Sequence, residues 1–220
     1  LADTALPPEV ETLHVDPNRP LIVVDVDEVL GLFMRGFEVF VGGHGLEMRI
    51  DRFALFQNLY RPGEATHLDV SQGRRLFDAF FACDPHRMDV APGAASALAS
   101  LADRATIVIL SNAPPVCRVT RARWLVENGL PYPLVIGAGP KGPTVAALAS
   151  RTRAPTAFVD DLLPNLDSVE AEAPQVHRFQ SVADERLRPF APSAPDRHPR
   201  FDSWVDLAPA IARALRLTAR

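Results

Sequence analysis

Five short runs of aliphatic and β-branched residues constrain this chain more than any other feature: LIVVDVD (21–27), ATIVILSN (105–112), PLVIGAG (133–139), TAFVDD (156–161) and, more weakly, QVHRF (175–179). Their lack of polar alternation marks strands buried on both faces. Between them lie stretches with helix punctuation, namely PGAASALASLADR from Pro92, PPVCRVTRARWLVENG closing on Gly129, and PTVAALASR from Pro143. Proline near a first turn and glycine past a last turn are start and stop signals. Strand, helix and strand at this spacing predict an α/β fold with a doubly wound parallel sheet.

One interval breaks the rhythm. From residue 31 to 90 there is no βα unit; FEVFV, GGHG and LEMRI read as a β-hairpin, and SQGRRLFDAFFAC reads as a helix capped by Ser71. We therefore expect a core domain of residues 18–30 plus 91–220, and a small insert of residues 31–90 after the first strand. Eight of the 12 phenylalanines fall between Phe33 and Phe81, enough for the insert to build a core of its own. The Pro-rich stretch 183–200 reads as an irregular excursion before a last helix from about Trp204.

In an open parallel sheet, ligands bind beyond the carboxyl ends of the strands. The first strand ends in Asp25 and Asp27, the second in Ser111 and Asn112, the fourth in Asp160 and Asp161, and the third runs into Gly137, Gly139 and Lys141. Four carboxylates on one rim would repel one another unless a cation neutralised them, and hard oxygen ligands in this number suit Mg²⁺. Lys141 is the only lysine in a chain with 23 basic residues, the rest being arginine.

The segments VVDVDEVL, ILSNA, GPKGP and FVDDLLPNL, in that order at successive strand ends, resemble the four signature elements of the haloacid dehalogenase superfamily. Each alone is common; four in order are specific. The resemblance implies a Rossmann-like core and places the insert where this family carries a small cap that excludes water and contacts the leaving group. It implies that Asp25 is a nucleophile forming an aspartyl-phosphate, and that Asp27 protonates the leaving oxygen and later activates water. Aspartate at the second position implies phosphoryl transfer, not dehalogenation. Ser111 and Asn112 would hold phosphate oxygens, although Ser111 equally fits a helix N-cap and Asn112 a turn. Lys141 would hold the nucleophile and a phosphoryl oxygen, a task for a compact point charge more than for a planar fork. Asp25, the backbone carbonyl of Asp27 and Asp161 would ligate Mg²⁺ directly, with Asp160 acting through water and Asn165 in support. Glu28 departs from the glycine frequent at its position in the family.

The implied function is a Mg²⁺-dependent hydrolase of a small phosphomonoester. A phosphomutase or other phosphotransferase, and a non-catalytic phosphate-binding protein, are the alternatives on the same fold. In the insert, Arg35, His44, Arg49 and Arg61 are candidates to reach a polar leaving group, with a solvated surface role the commoner fate of such residues. A net charge of -4 provides no general nucleic-acid surface. The apolar runs fall well short of the roughly 18 residues of a membrane span. Two cysteines make no disulfide framework, and with no signal-peptide features in the N-terminal stretch we expect a cytoplasmic protein.

Overall fold

The computed structural model describes residues 6–83 and 88–217; residues 84–87 of the insert, His86 among them, lie outside the described residues. In chain order the elements are α1 (Glu9–Thr12), β1 (Leu21–Val24), α2 (Phe33–Gly42), β2 (Glu47–Met48), β3 (Leu59–Tyr60), α3 (Val70–Ala82), α4 (Ala94–Ala102), β4 (Thr106–Ser111), α5 (Arg118–Glu127), β5 (Leu134–Ile136), α6 (Gly142–Ala149), β6 (Thr156–Asp160), α7 (Leu163–Glu172), β7 (His177–Gln180) and α8 (Trp204–Ala214).

The five apolar runs form one sheet in the order β5-β4-β1-β6-β7, with every pair parallel. The chain winds outward from β1 through β4 to β5, then returns to add β6 and β7 on the other side of β1. Such a reversal opens a crevice at the carboxyl edge. The strand period of two divides the core between the faces. Ile22 and Val24 pack with Leu98 of α4, Leu125 of α5 and Ile211 of α8, whereas Leu21 and Val23 pack with Val145 and Leu148 of α6 and Leu166 and Val169 of α7. Val10 of α1 joins the second face.

The insert leaves and re-enters through a two-stranded neck. Gly31 and Val90 pair in an antiparallel bridge, Leu32 N–H donates to Asp89 O at 2.8 Å, and Ala91 N–H donates to Leu30 O at 2.8 Å. Met88 packs so close to Gly31 that a Cβ there would collide with its thioether.

Within the insert the expected hairpin is not formed by FEVFV. Those residues lie in α2, because Phe33, Phe37, Phe40 and Val41 recur at helical spacing and put one aromatic stripe inward. Within FEVFV, Phe37, Val39 and Val41 recur at strand spacing while Phe37, Phe40 and Val41 recur at helix spacing; including Phe33 extends the second pattern into a stripe. LEMRI does contribute a strand, β2, but its antiparallel partner is β3, through Glu47–Tyr60 and Met48–Leu59. The cap of α3 is Asp69, whose carboxylate accepts from Gln72 N–H at 2.9 Å and from the Ser71 hydroxyl at 2.6 Å. The helix thus starts before the predicted Ser71, because aspartate offers a charged acceptor two residues earlier. The phenylalanines do not build a separate core either. Phe33, Phe37, Phe80 and Phe81 interlock at ring-centroid distances of 5.4–5.7 Å and belong to the same apolar cluster as Ile22 and Val24 of the sheet.

Candidate active site

The carboxyl ends of β1, β4, β5 and β6 bring their polar residues to one crevice. Asp25 continues β1, its N–H donating to Val159 O at 3.0 Å, so its side chain is carried by the centre of the sheet. Lys141 stands just ahead of α6. Its ammonium lies 2.6 Å from Asp25 Oδ1 and 2.7 Å from Asp160 Oδ2, with a side chain only 2% exposed. The close approach of α6 to α7 sets this position, since Gly142 N–H donates to Ser168 Oγ at 3.0 Å and leaves no room for a Cβ.

Asp160 is fully buried, and both its oxygens are engaged. Oδ2 takes the lysine, while Oδ1 accepts from Leu162 N–H at 2.9 Å and from Asn165 Nδ2 at 3.0 Å. Its neighbour Asp161 is also buried and lines the crevice. Carboxylate oxygens of Asp25, Asp160 and Asp161 fall within 4.8 Å of one another.

Three carboxylates facing one ammonium leave the cluster short of positive charge. Burial pushes the Asp25 carboxyl up to about 7, only partly countered by Lys141, and the charges of Asp160 and Asp27 add to the rise. Burial likewise raises Asp161 well above the carboxylate range, reinforced by Asp160 and Asp25. For Lys141, burial alone would favour the neutral amine, but Asp160 and Asp25 outweigh it and hold the ammonium above its ordinary range. Buried carboxylates that outnumber the one ammonium among them are what a hard divalent cation would neutralise, so the residues fit one.

Asp27 does not join the acidic cluster. Both its oxygens accept from Arg121 of α5, at 2.8 and 3.2 Å. The Arg121 side chain is fully buried and lies 5.2 Å from the centroid of the Phe81 ring, so the insert and α5 together hold the clamp. Of the four expected carboxylates, three therefore converge and the fourth has its own cation. Sequence reasoning missed Arg121 because arginine is abundant throughout the chain. Its burial, which makes a carboxylate partner necessary, arises only when α5 packs and leaves no mark in the sequence.

Glu28 is the second residue whose weight was not visible. It sits at φ 60°, the left-handed region, and its carboxylate accepts from Met34 N–H at 2.7 Å and Asp184 N–H at 3.1 Å. Burial pushes it up to about 7, countered in part by those two N–H groups. The side chain ties the turn after Asp27 to the start of α2 and to the tail, the excursion of residues 183–200.

Ser111 is fully buried, with its hydroxyl accepting from Ala113 N–H at 3.2 Å. Asn112 lines the crevice, its Nδ2 donating to Gly139 O at 2.8 Å. None of the four candidate cations of the insert lines it. Arg35 pairs with Asp184 and Glu185. Arg49 pairs with Glu47 and stacks on Tyr60, whereas His44 and Arg61 border a different hollow beside α3. Above the carboxylates is a cavity of about 310 Å³, walled mainly by Phe33, Met34, Phe53, Leu55 and Phe77 of the insert, with Leu187 from the tail.

No family model matches the sequence, and no curated protein matches it. Solved structures do. The chain is similar to a conserved haloacid dehalogenase-like protein of unknown function from Agrobacterium tumefaciens, with a TM-score of 0.58 and 18% identity over 88% of this chain and 97% of that one. It is similar to a haloacid dehalogenase-like hydrolase from Xanthomonas campestris, with a TM-score of 0.56 and 12% identity over 91% and 98% of the two chains. It is also similar to CbbY from Rhodobacter sphaeroides, solved in complex with xylulose-1,5-bisphosphate, with a TM-score of 0.52 and 15% identity over 86% and 96%. At these identities the likeness is one of fold, and the fold is the one that the four sequence elements imply. Among the described residues no helix is long and apolar enough to cross a membrane.

Proposed function

We propose that the chain is a Mg²⁺-dependent hydrolase of a small phosphomonoester, working through an aspartyl-phosphate on Asp25. The observation that carries this reading is the meeting of Asp25, Lys141, Asp160 and Asp161, from three separate strand ends, beneath one cavity. The segment 31–90 would then be the cap, leaving the core at its neck.

Asp25 would attack phosphorus, forming the acyl-phosphate bond as the bond to the leaving oxygen breaks. Lys141 orients the attacking carboxylate and keeps an N–H for a phosphoryl oxygen. Asp27 would give a proton to the leaving alkoxide and then take one from the water that hydrolyses the intermediate and frees Asp25. Arg121 fixes the Asp27 carboxylate at the cavity wall for both transfers. Asn112, and the N–H groups around Ser111, would receive the remaining phosphate oxygens. Mg²⁺, held by Asp25, the backbone carbonyl of Asp27 and Asp161, with Asp160 in support, would supply charge neutralisation of the phosphoryl group. Asp160 has both oxygens committed to Lys141, Leu162 and Asn165, which favours Asp161 as the direct ligand.

The experiment is release of inorganic phosphate from a generic aryl phosphate with Mg²⁺, repeated with Asp25→Asn. Turnover that falls at least about 10³-fold in the variant is the expected result. No turnover of any compound in a broad phosphomonoester panel would overturn the reading in favour of a phosphate-binding protein.

A further inference from the structure

We infer that the group carried by the phosphate is apolar and uncharged, an aryl or short alkyl alcohol, and not a sugar or a second anion. This rests on the phosphohydrolase reading above and concerns the substrate of the same site. The cavity is bounded on one side by carboxylates, Lys141 and the amides of Asn112 and Asn165, whose N–H groups are engaged by Gly139 O and Asp160, and on the other by hydrocarbon. Phe33 and Met34 open α2, Phe77 projects from α3, Phe53 and Leu55 come from the loop after β2, and Leu187 closes the wall from the tail. Such a wall offers no partner to a hydroxyl, and a polar group desolvated against it loses its hydrogen bonds to water without replacement.

Charge leads to the same conclusion. Asp25, Asp160 and Asp161 carry three negative charges against the one positive charge of Lys141, and a divalent cation would bring that group to neutrality. Arg121, the partner of Asp27, is fully buried and does not line the cavity, so it offers no charge to a ligand there. The phosphate dianion of the substrate then has no surplus cation to share with a second anionic group. Lys141 is the only cationic side chain among the described residues lining the cavity. Arg74 comes near the wall, 5.6 Å from the Phe77 ring centroid, but does not line the cavity and pairs with Asp78 at 3.5 Å. A volume of about 310 Å³ is at the small end of the roughly 300–1,000 Å³ of ligand sites, enough for a phosphoryl group and one ring or short chain.

The test compares kcat/KM for benzyl phosphate, glucose 6-phosphate and 2-phosphoglycolate with Mg²⁺. All three leave as primary alkoxides, so the ratios report the cavity and not leaving-group chemistry. Benzyl phosphate should be preferred by about 30-fold or more over each of the others. Leu55→Lys, which places an ammonium on the wall from a loop, should shrink the ratio against phosphoglycolate at least about tenfold; if that variant fails to fold, the wild-type ratios decide. Equal or better turnover of glucose 6-phosphate or phosphoglycolate overturns the inference and leaves the hydrolase reading standing. If none of these esters and no compound of the broad panel is turned over, the hydrolase reading falls instead, and calorimetry of benzylphosphonate against phosphonoacetate decides the inference: tighter benzylphosphonate by about tenfold supports it, and the reverse order overturns it.

Discussion

Arg121 and Asp27, 94 positions apart in the chain, are joined by two hydrogen bonds of 2.8 and 3.2 Å, with the guanidinium fully buried and the carboxylate 27% exposed. The asymmetry of burial sets the cost of breaking the pair from either side. Asp27→Ala strands a buried guanidinium and should cost about 3–5 kcal/mol. Arg121→Met leaves a carboxylate that water can reach and keeps the packing against Phe81, so about 1–2 kcal/mol is expected. Urea denaturation of the two variants checks the order; an Arg121 variant as destabilised as the Asp27 variant would contradict it.

The acidic cluster should show a crossover with metal. Asp161 is held well above its ordinary range by burial and by Asp160 and Asp25, so without a cation its charge is a burden on the fold. Asp161→Asn should therefore melt higher than wild type in chelator. With Mg²⁺ at about 100 times its Kd, the wild type should gain about 2.7 kcal/mol, or roughly 5–10 °C in Tm, and the variant much less. Melting curves of both proteins with and without Mg²⁺ decide it, and parallel shifts would remove Asp161 from the ligand set.

Glu28 poses two opposed effects at one residue. Its backbone at φ 60° favours glycine, so Glu28→Gly would relieve about 1–2 kcal/mol of left-handed strain. The same change removes the acceptor from the buried N–H groups of Met34 and Asp184, at about 1–3 kcal/mol each. The lost acceptors win. We expect net destabilisation of about 1–3 kcal/mol and faster amide hydrogen exchange at Met34 and Asp184; a more stable glycine variant would show that the carboxylate does not hold the turn.

The parts of this molecule legible in the sequence are those whose signal is local. Buried parallel strands are continuous apolar runs, so β1, β4, β5 and β6 fell within one to three residues of their predicted ends. The residues that follow strand ends are fixed by sheet topology, which is why Asp25, Lys141, Asp160 and Asp161 could be placed on one rim. Asp27 stands on that rim too, but its partner comes from the face of α5, and nothing local in RVTRARWLVE singles out Arg121 from its neighbours Arg118 and Arg123. The insert misled for a different reason. Phe37, Val39 and Val41 recur at the spacing of a strand, although Phe40 between them breaks a clean alternation, and the packing of Phe33 and Phe37 against Phe80 favours the helical stripe.

Asp184 should control part of the acid limb of stability. Burial alone would raise its carboxyl, but the side chain and backbone N–H of Arg186, with Arg35 beyond, hold it below its ordinary range. A depressed folded-state value means stability that is present above about pH 4 and lost as pH falls through the lower folded value. The wild type should exceed Asp184→Asn by about 1–2 kcal/mol at pH 6, since Arg186 keeps Glu38 as a partner, and the gap should close towards pH 3. A gap independent of pH across that range would assign the effect to packing.

Gly142 links the packing of two helices to the position of the single lysine. Its Cα faces the backbone oxygen of Ser168 so closely that a methyl group would overlap it, and its N–H is held by Ser168 Oγ at 3.0 Å. The obstruction is backbone in the middle of α7, which cannot turn aside as a side-chain tip would. In Gly142→Ala the two helices must therefore separate, and Lys141, the preceding residue, moves with α6. Its ammonium meets Asp25 and Asp160 at 2.6 and 2.7 Å, so a shift of even one ångström breaks both contacts. Helix propensity works in the other direction, but Gly142 is the first residue of α6, so alanine gains less than the roughly 1 kcal/mol of a helix interior, and overpacking by about 1–3 kcal/mol outweighs it. We expect Gly142→Ala to lose about 1–2 kcal/mol of stability and at least about tenfold in kcat with a smaller change in KM, because orientation of Asp25 matters most in the transition state. Ser168→Ala in the same background removes the Oγ obstruction but not the backbone one, so it should restore little; full recovery of kcat in the double variant would show that the side chain alone sets the spacing.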